Sequence, residues 1–199
     1  MTEVSSPVSN RSVLGQRLLV LGNSCAGKST LGAQLAVMLN VPFVELDALN
    51  CEPNWVGLNS TNPDELMRRM RKATEGDRWV VAGSYLQFSQ QVFWPRLDTI
   101  IWLDLPLYQL VWSMLKRSWK RWRARELLWG TNYESFWPQL MVWRKEESLL
   151  WWIVTTYQRK RQQMLAYQTD TKWRHIRFIR LCSSAEIEAF SRAVSSASL

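Results

Sequence analysis

Short apolar runs recur along the chain, and a helical or irregular segment follows each of them. We predict strands at these runs, which are Arg17–Leu21, Pro42–Leu46, Arg78–Ala82, Thr99–Leu103 and Ile176–Leu181. Most of the runs end at a glycine or an acidic residue, as is typical of short strands that are buried on both faces. Their regular alternation with helices predicts a parallel sheet that carries helices on both sides.

Apolar residues at helical spacing and helix-start signals predict the helices between these strands. One helix follows the first strand, and another begins at Pro63, which suits a first turn, and runs to about Ala73. A further helix begins at Leu107. Ser183 forms a capping box with Glu186 and opens the last helix.

Size and composition favour a single compact unit. A chain of 199 residues with 47% hydrophobic content buries one substantial core, so we expect one domain at residues 17–199 behind a flexible tail at residues 1–16. No segment approaches the roughly 20 apolar residues of a membrane span, and the first residues lack the apolar block of a secretory signal. We therefore expect no membrane span and a cytoplasmic location. Three cysteines and one histidine are too few for a disulfide framework or a zinc or haem site.

The loop between the first strand and the first helix fits the pattern G-x-x-x-x-G-K-[ST] without mismatch. Its residues, with the one that follows, are Gly22, Asn23, Ser24, Cys25, Ala26, Gly27, Lys28, Ser29 and Thr30. Glycines let the backbone N–H groups of such a loop converge on one point, and the helix N-terminus adds partial positive charge. Lys28 is predicted to reach the outer phosphates of a nucleotide, and Ser29 to hold Mg²⁺.

This sequence resembles the adenylate-kinase-like P-loop kinases and, among them, the topology modulation proteins, over about residues 17–190. Besides the phosphate loop, the segments that carry the resemblance are Leu46–Leu49 with Trp55, Gly83–Tyr85, Trp94–Arg96, Trp102–Pro106 and Arg125–Trp129. The resemblance implies an α/β fold of three layers with a five-stranded parallel sheet in the order 2-3-1-4-5. It also implies an ATP or GTP site at the loop and a helical, arginine-bearing lid, which we place at about residues 116–167.

Two aspartates are the candidates for chemistry beside the loop. Asp47 and Asp104 each close a predicted strand, and the carboxyl ends of parallel strands line the ligand crevice of such folds. Asp47 is expected to touch the acceptor hydroxyl or a metal-bound water, with Gly83 and Tyr85 forming the rest of the acceptor site. Asp104 is a candidate Mg²⁺ ligand, and capping of the helix that follows Pro106 is an equally good interpretation.

Three arginines are predicted to form a row over the transferring phosphates. Arg117, Arg121 and Arg125 are spaced at i, i+4 and i+8, so one helix face presents all three. Positive charge on the developing anion is a main source of rate in phosphoryl transfer. A solvated basic face remains the alternative, since six of the ten residues at positions 116–125 are Lys or Arg and the chain carries a net charge of +8.

Two functions fit this sequence. The first is ATP-dependent phosphoryl transfer to a small-molecule acceptor. The second is a nucleotide-binding regulatory protein with weak or no transfer activity, because similar members usually carry an acidic residue where this chain has Ala82. In the second case, tryptophans among the basic helices could contact nucleic acid or a protein partner, although packing in the core or an interface is the more common role of such residues.

Overall fold

A computed structural model describes residues 14–53, 56–124, 127–128, 132–133 and 149–196. The sheet has five strands, which we number β1 to β5: Arg17–Gly22, Phe43–Glu45, Trp79–Ala82, Thr99–Leu103 and Arg177–Leu181. Within the described ranges the helices are α1 to α8: Lys28–Leu39, Leu46–Asn50, Leu58–Thr61, Pro63–Ala73, Leu86–Val92, Leu107–Ala124, Leu149–Thr169 and Ser184–Ser196. Two-residue strands at Leu127–Leu128 and Asn132–Tyr133 pair with each other outside this sheet.

The five strands are all parallel and follow the order β2-β3-β1-β4-β5. This confirms the predicted fold class, its strand count and its order. The first strand of the chain is therefore the central one, with β3 and β4 on its two sides. Because all strands are parallel, the loops at their carboxyl ends lie along one edge of the sheet, next to the phosphate loop.

Side chains alternate between the two faces of the sheet, and each face has its own core. On β1, Leu18 and Val20 join a cluster with the apolar sides of α1, α6 and α8. Leu19 and Leu21 point to the other face and join a cluster that contains α4 and several large aromatic residues. The period of two along a buried strand accounts for this division. Both faces are covered, as the continuous apolar runs in the sequence predict.

The start of the second crossover differs from the prediction. We expected a strand that Asp47 closes, but β2 ends at Glu45, and Asp47 lies in the first turn of the short helix α2. The helix start at Pro63 is confirmed, with Asn62 accepting a hydrogen bond from the N–H of Glu65. The Ser183 and Glu186 signal is also confirmed, because the Ser183 hydroxyl accepts from the N–H of Glu186.

Some predictions fall outside the described residues or stay untested. Of the tail predicted at residues 1–16, only residues 14–16 are described. Of the lid predicted at residues 116–167, the central residues 134–148 lie outside the described ranges. No helix in the described ranges is both long and apolar enough to cross a bilayer.

Gly83 lets β3 pass very close to the beginning of α2. Its φ is +148°, and a Cβ atom added there would lie 2.6 Å from Cβ and 2.9 Å from Cγ of Leu46, a side chain with no exposed surface. This contact fixes the position of α2, and therefore of Asp47, relative to the end of β3.

We expect Gly83→Ala to lower the free energy of unfolding by about 1–3 kcal/mol, because the added methyl group overpacks Leu46 at a backbone angle that side chains rarely adopt. Gly76→Ala is the matched control, since nothing lies within 4 Å of a Cβ atom at that exposed position. Urea denaturation of both variants measures the difference. Equal stability of the two variants would show that Leu46 is not held by this contact.

Candidate active site

The loop at residues 22–29 has the backbone of an anion cradle. Gly22 passes so close to β4 that a Cβ atom there would lie 2.9 Å from the carbonyl oxygen of Leu103. Cys25 and Gly27 have positive φ angles of 65° and 90°, which turn the chain sharply into α1. The space beside Gly27 is open, with nothing within 4 Å of a Cβ atom. A phosphate group can therefore approach the backbone there.

The N-terminus of α1 is free of competing groups. Its N-cap residue, Gly27, offers no side-chain hydrogen bond, and the first turn contains no acidic residue. The first N–H groups of a helix need an acceptor, and an anion both satisfies them and benefits from the helix dipole. The open backbone and the uncapped helix together fit the phosphates of a nucleotide.

Lys28 lies over this loop, with its Nζ donating to the carbonyl oxygen of Asn23 at 3.0 Å. Burial lowers the pKa of Lys28, the charge of Asp47 opposes this shift, and the charge of Arg117 adds to it. These effects place both residues within electrostatic reach of the ammonium group. Three of the residues predicted for chemistry, Lys28, Asp47 and Arg117, are thus brought together.

A carboxylate that the sequence analysis did not single out lies next to Ser29. The Ser29 hydroxyl donates a hydrogen bond to Oε1 of Glu45, the last residue of β2. Glu45 is paired in register with Ala82 on β3, so the two side chains point to the same face of the sheet at the same level. Glu45 therefore offers a carboxylate on the strand next to Ala82, the position at which the family resemblance implies an acidic residue.

Asp47 forms a small network with Tyr85. Burial, then the charge of Asp47 and a hydrogen bond to its carboxylate, raise the pKa of the Tyr85 hydroxyl, which also hydrogen-bonds Asn50. The predicted acceptor residues Asp47 and Tyr85 therefore influence each other electrostatically, and Gly83 packs against Leu46, the residue before Asp47.

Asp104 has partners that leave little room for a metal ion. Its Oδ2 accepts from Arg161 of α7 at 3.0 Å and from Arg180 of β5 at 2.5 Å, and its side chain is 4% exposed. Two guanidinium groups already neutralise this carboxylate, so the contacts do not support the predicted Mg²⁺ role. The capping alternative does not hold either, because α6 begins at Leu107, with the carbonyl oxygen of Pro106 accepting from the N–H of Leu110.

The predicted arginine row is only partly visible. Arg117 lies on α6, and its buried Nε has no hydrogen-bond partner among the described residues. Arg121 also lies on α6, but its side chain is outside what the structure describes, as is the whole of Arg125.

A second lysine reaches the phosphate loop from α7. Nζ of Lys160 lies 3.4 Å from Oδ1 of Asn23 and 5.1 Å from the ring centre of Trp152. Burial, then the charges of Lys28 and Arg159, lower the pKa of Lys160 to about 8, while Asp47 opposes the shift. Lys160 is 137 positions away from Asn23 in the sequence, so no local pattern could have indicated this contact.

A cleft of about 590 Å³ opens beside the loop. Its walls are the ends of β1 and β4, the start of α5 and one face of α7. Ser84, whose hydroxyl donates to the carbonyl oxygen of Gly22 at 2.8 Å, joins the loop to this cleft. The size lies within the range of about 300–1,000 Å³ that is usual for small-molecule sites.

The tryptophans divide into two groups. Buried ones are Trp79, Trp94, Trp102 and Trp173, whereas Trp112, Trp119, Trp122 and Trp152 on α6 and α7 are 44–59% exposed. The second group therefore lies outside the core of the described residues, and packing in an interface remains a prediction for it. Trp129, Trp137 and Trp143 lie outside the described residues.

The sequence matches no protein-family model and no curated protein sequence. Two solved structures are similar in fold. A shikimate kinase from Acinetobacter baumannii in complex with shikimate has a TM-score of 0.53 at 16% identity, with 94% of each chain covered. A gluconokinase from Sinorhizobium meliloti 1021 has a TM-score of 0.50 at 14% identity, with 93% of this chain and 92% of the other covered. These likenesses show the fold of small P-loop kinases, and the topology modulation family is not confirmed.

We expect Asp104→Asn to lower the free energy of unfolding by about 1–3 kcal/mol, because it leaves two guanidinium groups without their shared carboxylate. The arginines are a third or more exposed, which keeps the loss below that of a fully buried pair. Asp77→Asn is the control, since that side chain is almost fully exposed. Denaturation and the Mg²⁺ dependence of ATP binding are measured together. Unchanged stability with a raised Mg²⁺ requirement would restore the metal role.

Proposed function

We propose that this protein is a P-loop kinase that transfers the terminal phosphoryl group of ATP, or of GTP, to a hydroxyl group of a small acceptor. The arrangement of side chains at the carboxyl edge of the sheet carries the proposal. Ser29 contacts the carboxylate of Glu45 there, and Asp47 lies within electrostatic reach of Lys28. A nucleotide anchor, a metal-binding pair and a candidate base therefore share one small region.

Residues 22–30 are assigned to the nucleotide. The open backbone at Gly27 and the uncapped N-terminus of α1 would hold the phosphates, and Lys28 would turn from the carbonyl oxygen of Asn23 to the outer phosphates. The buried setting of Lys28 strengthens its attraction for an anion, because little water competes there.

Ser29 and Glu45 fit Mg²⁺. This ion prefers oxygen ligands and is usually held by one or two protein groups together with phosphates and water. When bound, Mg²⁺ would neutralise phosphate charge. Asp104 is not used in this assignment.

Asp47 is assigned as the group that takes the proton of the acceptor hydroxyl. The acceptor oxygen then forms a bond to the terminal phosphorus, and the bond from that phosphorus to the bridging oxygen of the leaving nucleoside diphosphate breaks. Tyr85 would keep the carboxylate of Asp47 in position, as its hydrogen bond supports. Arg117, with Arg121 and Arg125 as predicted from the sequence, would add positive charge around the transferred group.

The alternative is a nucleotide-binding regulatory protein without transfer activity that contacts nucleic acid or a protein partner. The argument for it is that Ala82 lacks the carboxylate that the family resemblance implies. Glu45 offers a carboxylate at the same level of the sheet, which weakens this argument. The two structural neighbours are named for kinases of small molecules, and this supports the enzymatic proposal in general terms.

Turnover tests the function directly. We expect ADP release from Mg·ATP to be stimulated by at least one compound in a panel of nucleoside monophosphates, sugars and hydroxy acids. Asp47→Asn should lower this rate by about 10²-fold or more and leave ATP affinity unchanged, because only proton transfer is impaired. Lys28→Ala should instead weaken ATP binding with the fold intact. Tight ATP binding by the parent without any stimulated turnover would favour the regulatory alternative.

A second prediction concerns the metal. Glu45→Gln should raise the Mg²⁺ concentration needed for half-maximal nucleotide binding by about tenfold, because a neutral amide is a poorer partner for Mg²⁺ than a carboxylate. Calorimetric titration of ATP at several Mg²⁺ concentrations measures the change. Glu52→Gln is the control, since that nearby carboxylate pairs with Arg69. An unchanged Mg²⁺ requirement would remove Glu45 from the metal site.

A further inference from the structure

The cleft beside the phosphate loop has an unbalanced set of charges. The acidic and basic residues that line it are Asp104, Arg159, Lys160 and Arg161, and the last three are consecutive on α7. Asp104 is already engaged by Arg161 and by Arg180 from outside the cleft. The single acidic group of the wall is therefore more than neutralised before the other two cations are counted.

Arg159 and Lys160 form no ion pair with a carboxylate in the part of the chain that the structure describes. Lys160 is half-buried, its ammonium group lies 3.4 Å from the neutral Oδ1 of Asn23, and burial followed by the charges of Lys28 and Arg159 lowers its pKa. Holding a cation away from water without a counter-ion is costly, and an anionic ligand would offset that cost.

A third group in the wall has an unsatisfied hydrogen-bond donor. Asn23 is 8% exposed, its Oδ1 accepts from the N–H of Ser24 at 2.8 Å, and its buried Nδ2 donates to no group in the described ranges. Buried polar groups are nearly always hydrogen-bonded, so an orphan donor in the wall of a cleft points to a ligand with acceptor oxygens. Asn23 thus adds to the two cations an independent indication of what the cleft binds.

The cleft lies next to the triphosphate position. Within the loop it is lined only by Gly22 and Asn23, whereas Gly27, Lys28 and Ser29 are outside its wall. The ammonium group of Lys160 is within electrostatic reach of both Lys28 and Asp47. A molecule in the cleft would therefore lie beside the nucleotide anchor, next to a lysine that interacts electrostatically with the candidate base.

The remaining wall is apolar. Leu86, Trp102, Leu105 and Met164 contribute to it, so the cleft can hold a carbon skeleton while the charged groups of α7 bind one end.

We propose that the phosphoryl acceptor is a small hydroxylated anion, and that Arg159 and Lys160 bind its carboxylate or phosphate group while its hydroxyl faces Asp47. This inference rests on the proposed kinase function and specifies the chemical class of its second substrate. A carboxylate and a phosphate share the same recognition by cations and N–H donors, so the experiments separate the two.

The first experiment measures anion binding when the nucleotide site is already filled. With Mg²⁺ and a non-hydrolysable ATP analogue bound, inorganic phosphate and malonate are titrated separately by calorimetry. We expect at least one of them to bind the parent protein, and Arg159→Gln and Lys160→Gln each to weaken that binding by about tenfold. A stronger response to phosphate assigns a phosphorylated acceptor, and a stronger response to malonate assigns a carboxylated one.

Arg174→Gln is the matched control, because it removes one positive charge from an exposed position that does not line the cleft. It should bind the anion as the parent does, and the unfolding curves of all three variants should show that they are folded. The inference is overturned if neither anion binds the analogue-loaded parent, or if the control loses as much affinity as the cleft variants. Failure of the analogue itself to bind would instead reject the proposed function.

The second experiment compares acceptors in matched pairs under turnover. Each pair consists of an anion and its uncharged counterpart, namely nucleoside monophosphates with nucleosides and hydroxy acids with their methyl esters. We expect turnover with an anionic member only, and a KM for it that rises about tenfold in Arg159→Gln with an unchanged KM for ATP. Equal turnover of the uncharged member would contradict the inference while supporting the kinase function. A raised KM for ATP alone would assign these cations to the nucleotide.

Discussion

The site depends on one constraint, which is that the central strand must turn into α1 without any side chain satisfying the first N–H groups of that helix. Gly22 meets the carbonyl oxygen of Leu103 too closely for a Cβ atom, and Gly27 provides the left-handed turn and an open surface. Backbone donors therefore face a region at the middle of the sheet edge. Every other charged residue of the site is arranged around that region.

The parallel sheet brings charged side chains together at this edge, although they lie in separate parts of the sequence. Glu45 and Asp47 lie at the end of β2 and Asp104 lies after β4, and the parallel sheet brings the carboxyl ends of these strands to the same side. Their roles differ because their partners differ: Glu45 meets a hydroxyl, Asp47 meets a tyrosine, and Asp104 meets two arginines. Residue type and position along a strand cannot distinguish these three situations.

This division explains how much the sequence could predict. The positions of the strands and of the phosphate loop follow from local patterns, such as apolar runs and glycine spacing, whereas the order of the sheet was implied by the family resemblance alone. For Glu45, the sequence offered one indication of a role in the site, which is that it precedes Asp47 by only two positions. The contacts of Lys160 and Arg161 depend on how α7 packs against the sheet, and that of Arg180 depends on the pairing of β4 with β5. These are long-range properties, and no pattern in the sequence indicates them. The roles assigned to individual site residues remain predictions.

The pairing of Glu45 with Ala82 has a consequence for comparing related proteins. A Cβ atom at Gly32 would lie 3.2 Å from that of Ala82, so α1 rests directly on this alanine and leaves no volume for a longer side chain. Because residue 32 is already glycine, an acid at position 82 would require α1 to lie farther from the sheet. A column-by-column comparison would therefore count this chain as lacking an acid at position 82, although Glu45 carries a carboxylate on the neighbouring strand. Spatial equivalence, rather than positional identity, is the proper criterion for deciding which members of such a group retain the chemistry.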